Sequence, residues 1–301
     1  LTQMKDGTIW QGTNGAGGIQ KFDGQRWTSG GDVRGNAITS ICQTRDGVVW
    51  AGGFGLSAYR NNVQTTYLPE LISVPIPTHR LRLLETRNGD LWIGGLGQEA
   101  VMLDYGGHRW QTFKNLSYFV TASDGTSYFV SDAKLVSERG GIWTQFGSED
   151  GPVETVRAVL ESKDGTLWVI GEEKGVAAIS RWEGGIWTRQ LFPRLSASLS
   201  HRAMFASKDG TVWFGANGPD EALGHQGGLL VFEKRDGKWE VEHQTPATYV
   251  PHSPYAITQT SDGTFWCGQV GLWKMVGKKW VEVAGPAELK SAWIQALCPD
   301  D

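Results

Sequence analysis

Cysteine is scarce in this chain and poorly spaced for chemistry. Three occur in 301 residues, at positions 42, 267 and 298. An odd, unclustered set describes neither a disulfide scaffold nor a zinc site. Cys42 and Cys298 hold nearly equivalent places in two repeats and are expected to be small buried strand residues. No apolar run approaches the roughly 18 residues of a membrane-spanning helix, and no signal-peptide pattern is visible. A basic surplus is missing as well. The net charge is −4, whereas a protein that grips nucleic acid phosphates carries excess Lys and Arg, so nucleic acid is not an expected partner. The signatures of common active sites are absent too: no HxxH or HExxH spacing, no G-x-S-x-G elbow and no phosphate-cradling loop before a helix. The sequence therefore leads to an expectation of no metal, no cofactor and no catalytic residue.

What the chain does have is glycine and tryptophan, 41 and 15 of them. They fall in a repeated phrase. "MKDGTIW" at 4–10 returns as "TRDGVVW" at 44–50, "TRNGDLW" at 86–92, "ASDGTSYF" at 122–129, "SKDGTLW" at 162–168, "SKDGTVW" at 207–213 and "TSDGTFW" at 260–266. The turns start at Asp6, Asp46, Asn88, Asp124, Asp164, Asp209 and Asp262. A period near 40 residues marks a repeat architecture. Short apolar runs bounded by Gly, Asp and Asn mark strands and turns rather than helices. The Asp carboxylate is expected to accept N–H groups of its own turn, and Gly to take a positive φ. The Trp is expected to wedge between adjacent sheets, with Tyr128–Phe129 in its place in the fourth copy.

One repeat gives the plan. "NAITSICQT" (36–44), "VVWAGG" (48–53) and "LSAYR" (56–60) are three strands, and a Gly-turned hairpin ending in Trp, as in "DYGGHRWQTF" (104–113), supplies the fourth. The expected fold is all-β: a single seven-bladed β-propeller spanning 1–301, with four antiparallel strands per blade. The chain opens at Leu1, inside a repeat, and reads as an excised piece. It ends after another inner-strand segment, "AWIQALCPDD". Residues 292–298 are therefore expected to pair into the first blade and close the ring.

The repeated D-G-x-x-W-x-G phrase, followed by a short strand and a W-T hairpin, resembles the two-component-regulator propeller repeat. The similarity is clearest in "TRDGVVWAGG" (44–53), "TRNGDLWIGGLG" (86–97) and "SKDGTLWVIG" (162–171). That resemblance implies a periplasmic ligand-sensing module, often for oligosaccharides. It also implies a membrane segment outside this chain and an output domain such as a kinase.

In a propeller, ligands meet the loops that lead into the inner strands. Here these are 29–37, 68–79, 146–154, 193–201, 244–254 and 285–292, joined by the long loop 216–228. Candidate ligand-binding residues at the inner-strand starts are Arg34, Arg80, Tyr118, Arg157, His201, Arg202, His252, Tyr255 and Trp293. Arg offers a planar fork for carboxylate or sulfate, and Tyr and Trp offer flat faces for sugar rings. The expected ligand is an oligosaccharide or another anionic or polar small molecule, bound without chemistry. Two other readings stand beside it. A carbohydrate lyase or hydrolase would use loop carboxylates, as in "SED" (148–150), "GEEKG" (171–175) and "PDEALGH" (219–225), with His225 or His252. A bare protein-interaction platform would need no small-molecule site.

Overall fold

The computed structural model describes the chain apart from residues 14–17, 32–37, 54–55, 62, 68–81, 87–88, 95–98, 105–108, 115, 148–150, 197–199, 217–223, 225, 246–252, 286–289, 295–296 and 298–301. The described strands form four-stranded antiparallel sheets, each built from consecutive strands. The first holds β1 (Thr2–Gln3), β2 (Ile9–Gly12), β3 (Ile19–Phe22) and β4 (Trp27–Gly31). The second holds β5 (Ser40–Gln43), β6 (Val49–Gly52), β7 (Leu56–Arg60) and β8 (Val63–Tyr67). Next come β9 (Arg82–Glu85), β10 (Leu91–Gly94), β11 (Glu99–Asp104) and β12 (Arg109–Lys114), then β13 (Leu116–Thr121), β14 (Ser127–Ser131), β15 (Lys134–Arg139) and β16 (Ile142–Gln145). After them lie β17 (Thr155–Glu161), β18 (Leu167–Glu173), β19 (Val176–Glu183) and β20 (Ile186–Phe192). The last two sheets are β21 (Ser200–Ala206), β22 (Val212–Ala216), β23 (Gly228–Arg235) and β24 (Lys238–Gln244), and β25 (Ala256–Gln259), β26 (Phe265–Gln269), β27 (Gly271–Val276) and β28 (Lys279–Glu282).

Two compact units divide the chain, Leu1–Asp132 with Val136–Thr144, and Ala133–Leu135 with Gln145–Asp301. Six sheets lie whole within a unit, three in each, and the β13–β16 sheet is divided between them. The expectation of seven equivalent blades in a ring closed by residues 292–298 is corrected here. Among the described residues six blades are whole, and residues 292–294 do not join the first sheet. Thr2–Gln3 is the first strand of the first sheet, with Thr2 opposite Trp10 and Gln3 opposite Ile9. Residues 292–294 dock instead on the β26–β27 turn. The Gly271 N–H donates to the Ala292 carbonyl at 3.0 Å and the Ile294 N–H to the Gln269 carbonyl at 2.7 Å. The reason lies in a recurring contact. Ile294 crosses so close to Gly268 that a Cβ there would sit 2.7 Å from its carbonyl oxygen. Ile38 crosses Gly12 in the same way, at 2.7 Å, and its N–H donates to the Thr13 carbonyl at 3.0 Å. The pattern in "AWIQAL" thus encodes a lead-in crossing over the preceding blade's glycine.

The repeated turn has the expected chemistry. In every described copy with an Asp, Oδ1 accepts the N–H two residues on: Thr8 at 3.0 Å, Thr126 at 2.8 Å, Thr211 at 2.9 Å and Thr264 at 3.0 Å are four cases. The following glycine sits at φ between 82° and 94° in all seven turns, in the left-handed region that glycine occupies without penalty. A hydroxyl two residues before the Asp adds a bond in several copies, as in Thr44 to Asp46 at 2.7 Å and Ser162 to Asp164 at 2.8 Å.

These bonds set an acid limit. Hydrogen bonds from the Thr8 hydroxyl and N–H hold the Asp6 carboxyl below its ordinary value of 3.8. Burial pushes Asp46, Asp164 and Asp209 upward, but their hydroxyl and N–H donors outweigh it, and all three also end below 3.8. A carboxyl with a lowered folded pKa contributes stability that is complete above its unfolded value and lost as pH falls through the folded one. The melting temperature should therefore vary little with these groups between about pH 7 and pH 5 and fall steeply below about pH 4. The Asp164→Asn variant should show a shallower acid fall in a differential scanning calorimetry series.

Two devices join neighbouring sheets. The first is the aromatic wedge. Trp168 packs on Phe214, Phe232 and Trp239 of the next sheet, with ring centroids 5.7, 4.8 and 4.8 Å away. Trp213 meets Phe265 at 4.7 Å and Trp280 at 6.1 Å. In the fourth copy Phe129, not Tyr128, is the fully buried ring, and it meets Trp92 at 4.8 Å. The second device is a latch from the residue before the turn Asp. The Lys5 N–H donates to Gln43 Oε1 at 2.8 Å while its Nζ reaches the Arg45 carbonyl at 3.0 Å. The Arg45 N–H donates to Glu85 Oε1 at 3.0 Å and its Nη2 to the Thr86 carbonyl at 2.9 Å. The Lys208 N–H repeats the pattern on Gln259 Oε1 at 3.0 Å.

Candidate functional site

The ends where inner strands begin carry the candidate residues. Arg34, Arg80 and His252 lie outside the described residues, as do the acidic cluster 148–150 and most of 218–225, His225 included. Tyr118 lies on β13, and His201 and Arg202 on β21, but their side chains fall outside the description. Arg157, Tyr255 and Trp293 are described.

Arg157 stands at a β-bulge. The pairing of β17 with β18 slips between Val156 and Ala158, leaving Arg157 without a partner in the ladder. A bulge re-aims a side chain, and this one turns the guanidinium onto Glu172. Nε lies 3.1 Å and Nη2 2.5 Å from the same carboxylate oxygen. The Arg157 side chain is 50% exposed and Glu172 19%, so the pair rests at the surface with the carboxylate sheltered. Slips also occur between Leu116 and Tyr118 on β13 and between Ser200 and Met204 on β21, at the other candidate positions.

Around Arg157 the "GEEKG" carboxylates are already engaged. The Glu154 N–H donates to Glu173 Oε2 at 3.1 Å, and the Lys174 N–H to Glu154 Oε2 at 2.9 Å. Glu173 Oε1 pairs with Arg189 Nη1 at 3.0 Å, and Arg189 Nε donates to the Pro152 carbonyl at 2.8 Å. This corner fixes the lead-in loop 151–155. Sequence reasoning missed Glu172 as the partner of Arg157. Regular pairing could not have found it: with Leu160 opposite Trp168, an unbroken register sets Thr155 against Glu173, and only the bulge at Arg157 brings Glu172 opposite Thr155.

The structure brings Tyr255 and Trp293 together. The Tyr255 N–H donates to the Gly268 carbonyl at 2.8 Å, which fixes the start of β25. Trp293 is held by its bridge to Val270 and by the bonds of its two neighbours. The rings lie 5.5 Å apart at 33°, with Trp293 62% exposed. The buried Gln269, whose carbonyl accepts the Ile294 N–H, also accepts the Ser253 N–H at Oε1, 3.1 Å. Two flat faces, one open to water, stand where a lead-in loop meets an inner strand. Among the described residues no group of three His, Cys, Asp or Glu could hold a metal ion.

Comparison with known proteins agrees with this architecture. Residues 32–55 match the family described as two component regulator propeller. No curated protein matches the sequence. Among solved structures, the chain is similar to the extracellular domain of a protein from B. thetaiotaomicron described as the hybrid two component system BT3049. The TM-score is 0.61 at 16% identity, covering 89% of this chain and 37% of that one. It is similar to the extracellular domain of a one component system, BT4673, from the same organism, with TM-score 0.55, 14% identity and coverage of 99% and 46%. It is also similar to a catalytically inactive virginiamycin B lyase from Staphylococcus aureus bound to quinupristin, with TM-score 0.58, 15% identity and coverage of 97% and 93%. At these identities the likeness is one of fold. The chain is an all-β propeller of four-stranded antiparallel blades and carries a two component regulator propeller repeat.

Proposed function

We propose that this chain is a non-enzymatic ligand-sensing propeller of an extracytoplasmic receptor, with a polar small molecule or oligosaccharide as its ligand. The observation that carries this reading is the Tyr255–Trp293 pair, whose exposed ring offers a stacking face at the strand-start end of a blade. The family match at 32–55 and the two extracellular neighbours support the sensing role and the location. Those neighbours belong to longer chains, of which this one spans 37% and 46%. A membrane segment and an output domain, such as a kinase, complete the receptor in this reading. Arg157, at the start of β17, contributes a further candidate donor in this reading, its charge tempered by Glu172.

A thermal-shift screen against neutral and acidic oligosaccharides tests the reading. A ligand at about 100 times its dissociation constant stabilises the folded chain by about 2.7 kcal/mol, a readable rise in melting temperature. The wild type should respond, and Trp293→Ala and Tyr255→Ala should respond much less at the same concentration. A response that both variants retain in full would move the site elsewhere.

A further inference from the structure

The chain contains nine Asp–Gly pairs, beginning at Asp6, Asp23, Asp46, Asp124, Asp150, Asp164, Asp209, Asp236 and Asp262. Among aspartate dipeptides, Asp–Gly is the most open to spontaneous rearrangement, because glycine has no side chain to shield its nitrogen. Two conditions govern the reaction. The glycine N–H must be free of an acceptor, and the aspartate carboxyl must be free to turn towards it.

Six of the pairs fail both conditions in the repeated turns. The Gly165 N–H donates to the Ser162 carbonyl at 2.9 Å, the Gly47 N–H to Thr44 at 2.9 Å and the Gly263 N–H to Thr260 at 3.0 Å. Gly7, Gly125 and Gly210 donate likewise, at 2.9, 2.9 and 3.2 Å. Each aspartate is held by the N–H two residues on, as at Asp46 and Asp164, 3.3 and 3.2 Å away. At Asp23 the carboxylate is tied by the N–H groups of Gln25 and Arg26, both at 2.9 Å. Asp150 lies outside the described residues.

Asp236 differs. It sits with Gly237 at the tip of the β23–β24 hairpin, where Arg235 pairs with Lys238. The two tip residues have φ of 48° and 76°, the positive pair that a two-residue type I′ turn demands. In such a turn the N–H of the second tip residue points away from the strands. Among the described residues nothing accepts the Gly237 N–H and nothing donates to the Asp236 carboxylate. The adjacent Arg235 guanidinium is drawn elsewhere, to Glu233 at 2.5 Å and Glu240 at 3.4 Å. The whole tip, 233–238, is exposed.

We infer that Asp236–Gly237 is a site of spontaneous isoaspartate formation in the folded protein, while the turn aspartates are protected by the bonds that build the blades. The Gly237 nitrogen attacks the Asp236 side-chain carbonyl carbon. The amide proton and the carboxyl hydroxyl leave as one water, and a succinimide ring closes. Water then adds back at the main-chain carbonyl carbon and breaks its bond to the Gly237 nitrogen. The main chain now runs through the Asp236 Cβ, and the former main-chain carbonyl is a free carboxylate. No atom is gained or lost overall. The lengthened tip adjoins a joint between sheets. One position inside it, Lys234 pairs with Asp164 at 3.4 Å and with Glu183, and Trp239 meets Trp168 edge-on at 4.8 Å.

The test is to hold the folded full chain at neutral pH and 37 °C and map isoaspartate by peptide mass spectrometry and by methyl transfer from an isoaspartyl methyltransferase. Isoaspartate at Asp236 should exceed that at each of the six turn aspartates by about fivefold or more, the factor for breaking one hydrogen bond of ordinary net strength. Asp236→Glu should remove the signal, and in denaturant all nine pairs should react alike. The Asn–Gly pairs at 14, 88 and 217 are distinguished by the mass change on loss of ammonia. Equal marking of Asp164 and Asp236 in the folded chain, or none at Asp236, overturns the inference.

Discussion

Replacing Trp168 with alanine should cost about 3–5 kcal/mol, the range for a large aromatic side chain removed from a packed core. Trp168 is 0% exposed. It is a joint as well as a filler. Its indole N–H donates to Ser162 Oγ at 3.0 Å, and the same hydroxyl donates to Asp164 Oδ1 at 2.8 Å. The ring thus ties the turn of one blade to Phe214, Phe232 and Trp239 of the next. Its loss opens a cavity between two sheets and leaves the turn hydroxyl without its indole donor. Urea unfolding should show a markedly lower midpoint for Trp168→Ala. Trp27→Ala, at a position 47% exposed, should cost about 1 kcal/mol or less. Comparable losses at the two positions would mean that the wedge is not a joint.

Gly171→Ala should be nearly as damaging for a different reason. A Cβ at Gly171 would sit 1.9 Å from the Thr155 carbonyl oxygen and 2.8 Å from Val153 Cγ2. The first obstacle is backbone in the paired strand, so the ladder itself must move. Overpacking of this kind costs about 1–3 kcal/mol, and a backbone obstacle places this variant at the upper end. The shift would also spread the Thr155–Glu172 pairing on which the Arg157 contact depends. Gly147→Ala is the matched control, since a Cβ there meets nothing within 4 Å. It should change stability by less than about 0.5 kcal/mol. Chemical denaturation of both variants decides the point.

These residues also show what the sequence could disclose. Turn and wedge are local features: "SKDGTLW" contains the donor hydroxyl, the acceptor Asp, the left-handed Gly and the buried Trp within seven residues. Repetition made them legible. Partnerships set by register were harder to read. Arg157 follows Val156 in a strand whose pairing slips at that point, so simple alternation gives no guide to its contact with Glu172. The C-terminal segment misled for a related reason. "AWIQAL" resembles the start of an inner strand because Ile294 repeats the crossing of Ile38 over a glycine. That crossing belongs to the preceding blade and does not specify pairing with the first. Of the candidate site, Tyr255 and Trp293 were legible as aromatics at lead-in positions. Their mutual contact follows from the docking of 292–294, which no local pattern announces.

The measurement that bears most directly on the sensing role is calorimetric titration of the best stabilising oligosaccharide into the wild type and Trp293→Ala, with chromatography of the sugar recovered afterwards. The account expects saturable binding to the wild type, at least about tenfold weaker binding to the variant, as for a truncated aromatic anchor, and a sugar recovered intact. Cleaved sugar, or equal affinity in both proteins, would contradict it.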